Sequence, residues 1–132
     1  MKGFKSNIEK DTVANTDFRR VLYTGRHLQL VLMSLKAGEE IGEEIHSEND
    51  QFFRFESGRG KCIIDSTEYA VTDGDVIIVP SGARHNVINV DKVADLKMYT
   101  IYAPPHHKDG IVRSTKEEAE TNEEEYDGKP TE

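Results

Sequence analysis

The feature that most constrains this chain is a succession of short segments rich in β-branched and aromatic residues, separated by glycine, asparagine or aspartate turns. The segments run Arg19–Tyr23, Leu28–Leu35, Gln51–Phe55, Lys61–Asp65, Glu68–Val71, Val76–Val79, His85–Val90 and Leu96–Tyr102. Helical periodicity is nearly absent before residue 114. So many short strands leave exposed edges unless the sheet closes, which predicts an all-β closed barrel or a double-sheet jelly roll over residues 1–113. Several strands carry apolar residues on both faces: Phe52 lies opposite the Gln51 row, and Ile77, Val79, Tyr99 and Ile101 extend the pattern. A single solvated sheet would alternate instead, so a homodimer that buries one outer face is expected. Cys62, in such a strand, reads as a small buried apolar residue.

At 132 residues the chain is long enough for one domain that buries about two-thirds of its unfolded surface. No apolar run approaches the roughly 18 residues of a membrane span, and no basic-then-apolar start marks a secretory leader. With Cys62 as the lone cysteine there is no intramolecular disulfide and no multi-cysteine metal cage. The expectation is a cytoplasmic protein outside the membrane. A net charge of −8 argues against nucleic-acid binding, which needs cations to neutralise phosphates.

That charge is unevenly placed. Residues 117–132 hold eight acidic side chains against Lys129, while the preceding 116 residues are nearly neutral. Thr115-Lys116-Glu117-Glu118 has the pattern of a capping box, which starts a short helix in an acidic C-terminal tail spanning 114–132. The tail has little apolar face to bury. Its composition predicts a solvated, partly disordered end whose removal leaves stability unchanged, with a lid or dimer strap as the other reading.

Two clusters carry chemistry. In the first, extended backbone at residues 44–46 projects Glu44 and His46 to one face as a chelating pair, with Ile45 on the other. Gln51 then opens a strand on the same face as Phe53 and Phe55, and a buried amide there needs a partner. In the second, Pro80 and Gly82 turn the chain and His85 opens a strand that shares its face with Val87 and Asn89. Phe53, Phe55, Val87 and Asn89 are expected to line a pocket below His46 and His85. His106 and His107 follow Pro104-Pro105 and face opposite ways if extended, so they read as a loop pair of which at most one approaches the barrel mouth.

The order and spacing of these clusters resembles the cupin superfamily. Gly38, Glu44, His46, Gln51 and Gly58 fall on the family's first motif, and Gly74, Pro80, Gly82, His85 and Asn89 match its second. The resemblance implies a double-stranded β-helix, the jelly-roll cupin barrel, and a metal held by Glu44, His46, Gln51 and His85. Two positions depart from the family's usual pattern: Glu44 stands where the first histidine is common, and Gln51 where a glutamate is common. Glu44, His46 and His85 form a two-histidine, one-carboxylate set of the kind that leaves coordination positions open. Imidazole and oxygen ligands suit one divalent ion, with zinc the first choice and iron(II), manganese and nickel the alternatives.

The chain is further similar to single-domain bacterial cupins described as like mannose-6-phosphate isomerase, whose zinc also has two histidines, a glutamate and a glutamine. That implies a small metal-dependent enzyme acting on a sugar-like or other oxygen-rich molecule, with the metal as Lewis acid. No arginine or lysine cluster for a sugar phosphate is evident, and no catalytic acid or base is assigned. An iron(II) dioxygenase and a non-catalytic small-molecule sensor are the alternatives, since one barrel hosts many activities.

Overall fold

The computed structural model describes residues 1–132. Its ten strands and two helices run, in order, α1 (Ile8–Ala14), β1 (Arg19–Thr24), β2 (Gln29–Leu35), β3 (Glu44–Ile45), β4 (Asp50–Ser57), β5 (Gly60–Ile64), β6 (Thr67–Val71), β7 (Val76–Val79), β8 (Arg84–Asn89), β9 (Leu96–Ala103), β10 (Val112–Arg113) and α2 (Lys116–Thr121). All strand pairs are antiparallel, in a six-stranded sheet ordered β10-β1-β2-β9-β4-β7 and a four-stranded sheet ordered β3-β8-β5-β6. This is the jelly roll that the strand pattern predicts, and the eight anticipated segments coincide with eight of the ten strands to within a residue or two.

The register layers the interior of the large sheet. Gln29, Tyr102 and Gln51 form one inward row; Val31, Thr100, Phe53 and Ile77 form the next; Met33, Met98 and Phe55 the third; Leu35 and Leu96 close the far end. Rows two to four pack against Cys62, Val71 and Val87 of the small sheet as one apolar core. Burying each large side chain there stabilises the fold by about 1.5–3 kcal/mol. Gly58 lets β4 turn into β5 within the core's lid: its φ is +104°, and a Cβ there would lie 2.5 Å from the Asp95 carbonyl oxygen.

Three expectations change. A helix precedes the barrel: Asn7 caps α1 by accepting from the Lys10 N–H, and Glu9 and Asp11 sit in its first turn. The helix covers part of the large sheet's outer face, where Leu32 is buried although Val31 and Met33 point the other way; Lys97 Nζ ties its end down by donating to the Asn15 carbonyl and to Ser34 Oγ. Ile77 and Val79 face the core rather than the outside, because they pair with Phe53 and Gln51, leaving Val76 and Ile78 exposed. The acidic tail, finally, lies on the body rather than in solvent. Ala119 of α2 is buried in the core, the Lys108 N–H donates to Glu124 O and the Tyr126 N–H to His106 O. The Thr131 N–H donates to Thr24 O, while the Glu132 carboxylate accepts from the Lys2 and Gly3 N–H groups and from the Tyr23 hydroxyl.

Candidate metal centre

The short β3 strand exists to place Glu44. It pairs with β8 so that Glu44 stands directly opposite His85, while His46, two residues on, projects to the same side. Pro80 and Gly82 turn the chain into β8, and the Gly82 N–H donates to the His46 carbonyl, tying the two motifs together. One ligand atom from each of Glu44, His46 and His85 lies within 4.8 Å of the others. Donors at about 2.1 Å around a tetrahedral ion stand about 3.4 Å apart, so the three side chains are a candidate ligand set that would draw together to hold an ion.

The donor chemistry suits a cation. His85 Nδ1 lies 3.1 Å from the Ala83 carbonyl, which can only accept, so Nδ1 carries the proton and Nε2 keeps its lone pair. Glu44 Oε2 is 2.7 Å from His46 Nε2, yet the two are not aligned as a hydrogen bond and Nε2 has no partner. Gln51 donates from Nε2 to Thr100 Oγ1, and its Oε1 is buried with no partner. An unpaired buried acceptor costs on the order of 1–3 kcal/mol, which a cation or a donor would recover. Burial opposes ionisation of Glu44, but the neighbouring His46, and after it Arg19 and His85, hold its carboxyl below the ordinary range. Burial likewise lowers His85, keeping it neutral and able to bind a metal.

The surroundings hold more than the sequence suggested. A cavity of about 460 Å³, within the range of small-molecule sites, opens beside the triad; Glu44 and His46 line it, while His85 and Gln51 do not. Both His106 and His107 line it, correcting the loop-pair reading. The cause is a clamp far away in sequence: buried Gln29 donates to the His107 carbonyl and accepts from both the His106 and His107 N–H groups, while Asn49 Nδ2 donates to the Pro104 carbonyl. His106 packs on His46 with ring centroids 4.4 Å apart. His107 Nε2 meets the Tyr102 hydroxyl at 3.2 Å, and burial pushes His107 down to about 2, so it stays neutral. Glu120, Glu123, Glu124 and Glu125 of the tail form the opposite wall.

Of the four pocket-lining expectations, the structure puts Phe53, Phe55 and Val87 in the closed core and none of the four on the cavity wall. Asn89 is structural: its Nδ2 reaches the Leu35, Lys36 and Ala94 carbonyls, and its Oδ1 accepts from the Asp91 N–H. Arg19, absent from the sequence reading, lines the cavity from the first strand. The one signal for it is a charged side chain two residues before buried Val21, on the strand's inward face.

The fold is a jelly-roll β-barrel with a candidate metal triad formed between its two motifs. A sequence model of the Cupin domain matches residues 31–102, and the chain belongs to that family. An uncharacterized protein of Bacillus subtilis, YrkC, is 46% identical over 89% of this chain and 66% of its own length. An uncharacterized protein of Acanthamoeba polyphaga mimivirus is 42% identical over 80% of this chain and 68% of its own. The chain thus spans about two-thirds of these relatives. The crystal structure of BH2720 from Bacillus halodurans superposes with a TM-score of 0.89 at 44% identity, covering 92% of this chain and 96% of that one.

Proposed function

We propose that the chain is a metal-binding cupin enzyme whose cavity takes a sugar-like or other oxygen-rich small molecule. The observation that carries this is the convergence of Glu44, His46 and His85 next to a cavity whose wall includes Glu44 and His46, with the unpartnered Gln51 Oε1 offered as the fourth donor. A divalent ion, zinc by first choice, would supply Lewis acidity for a carbonyl or enediolate oxygen. The chain's residues do the rest. Gln29 and Asn49 fix the 104–107 loop, so that His106 stands at the cavity beside His46. Burial holds His106 below its ordinary range, so at neutral pH it is an unprotonated imidazole that can take a proton from a bound substrate. Glu120 and Glu123 to Glu125 of the tail line the same space.

Isomerisation, in the manner implied by the likeness to mannose-6-phosphate isomerase-like proteins, is the leading reaction, with iron(II)-dependent dioxygenase chemistry second because the triad is a two-histidine, one-carboxylate set. Manganese and nickel suit the same donors. No helix is long and apolar enough to cross a membrane; the cytoplasmic setting is part of the proposal. Outer-face Ile78, exposed beside half-buried Phe52 and Ile101, supports a homodimer. The test is turnover of free aldoses and sugar acids, followed by proton NMR and an oxygen electrode, in zinc-loaded and anaerobically iron-loaded protein. Turnover that Glu44→Ala abolishes supports an enzyme. Tight ligand binding without turnover in either form would replace it with a sensor.

A further inference from the structure

Six glutamates line the cavity: Glu43, Glu44, Glu120, Glu123, Glu124 and Glu125; Arg19 is its one lysine or arginine. The other cations nearby are engaged at the rim. Arg84 pairs with Glu43, Lys116 with Glu120, and both Lys108 and Arg113 with Glu124. Arg19 enters none of the chain's ion pairs, although its sequence neighbour Arg20 pairs with Asp17. Its Nε is buried and has no hydrogen-bond partner. The guanidinium lies near enough to Glu44 to help hold that carboxyl below its ordinary range, yet its mounting leaves it outside ion-pair contact with any carboxylate of the cavity. That mounting is rigid: β1 is paired on both sides at this position, with Met33 of β2 and Arg113 of β10, and the guanidinium carbon sits 5.3 Å from the Phe18 ring centroid.

We propose that Arg19 is the anion-recognition residue of this cavity, receiving the carboxylate of a small ligand held beside Glu44 and His46. The inference rests on the small-molecule reading of the same cavity and names its substrate class, a carboxylic acid of sugar size. The guanidinium fork matches a carboxylate bidentately, which would satisfy the stranded Nε–H together with a second N–H. A single fixed cation complements a monoanion. A phosphate dianion would gather less compensation here and meet about twice the repulsion from the glutamate wall.

The direct test is the Nε–H NMR signal of Arg19, assigned by its loss in Arg19→Ala. Glucuronate, glucose 6-phosphate and glucose would be titrated into zinc-loaded and metal-free protein. The proposal expects saturable movement of that signal with glucuronate, binding at least tenfold tighter than glucose, and loss of that margin in Arg19→Ala with zinc content unchanged. An unmoved signal, equal glucuronate binding by Arg19→Ala, or a preference for glucose 6-phosphate would overturn it. Zinc content measured on the same samples separates the two ideas: wild-type protein that takes up no zinc refutes the metal reading, while the metal-free titration still decides the role of Arg19.

Discussion

The two ends of this barrel are built from the same strands and differ in what they leave unsatisfied. At the closed end Asn89 is fully buried, yet its amide bonds three carbonyls and one N–H, and the rows around it are Leu35, Leu96, Met98 and Phe55. At the open end Gln51, also a buried amide, leaves Oε1 without a partner, Arg19 Nε has none, and His46 Nε2 meets only the Glu44 carboxylate, 2.7 Å away and outside hydrogen-bond geometry. Polar burial at one end completes the fold. At the other it leaves polar groups without hydrogen-bond partners, which is what the proposed ion and ligand site requires.

If that contrast is right, equivalent changes at the two ends have opposite consequences. Asn89→Ala should be the most damaging, lowering unfolding free energy by about 3 kcal/mol in urea denaturation, since it strands three carbonyls at once. A loss under 1 kcal/mol would show that water replaces the amide. Removing residues 117–132 takes away the Ala119 contact and the Thr131 and Glu132 hydrogen bonds, so the melting temperature should fall by more than about 5 °C. An unchanged value would restore the solvated tail expected from composition.

Acid should act through the open end. His107 ionises near 6.5 in an unfolded chain and near 2 in the fold, so its contribution to stability is full above pH 6.5 and is lost progressively as pH falls toward 2. His85 and His106 are lowered in the same direction, and Glu44 adds its loss below about 4.5. Metal-free protein should therefore be less stable at pH 5.5 than at pH 7.5, by about 1 kcal/mol from His107 alone, measured by denaturation at both values. Equal stability would mean that His107 accepts a proton within the fold. The smallest effect belongs to Gln51→Leu, which removes a bare acceptor: metal-free stability should change by less than about 1 kcal/mol while metal affinity falls. A large destabilisation would make Gln51 a second Asn89.

The strands were legible because period-two patterning and turn residues are local signals, and the ligand triad because two spaced motifs carried it. What stayed hidden depends on distant partners. Nothing near His106 and His107 reveals that Gln29, 77 and 78 residues earlier, will hold them at the cavity. The inward position of Arg19 follows from its pairing with Met33, and α1 offers an Asn cap and an acidic first turn but buries only Thr12. The tail is acidic enough to pass for solvated, yet buried Ala119 and the Glu132 side-chain carboxylate help to dock it.

The most direct measurement is the metal content of anaerobically purified, chelator-free protein beside His46→Ala and Gln51→Leu. The triad predicts close to one divalent ion per wild-type chain, loss in His46→Ala and partial retention in Gln51→Leu. Full occupancy in His46→Ala, or a wild-type chain that takes up no zinc, iron, manganese or nickel when each is supplied, would contradict it.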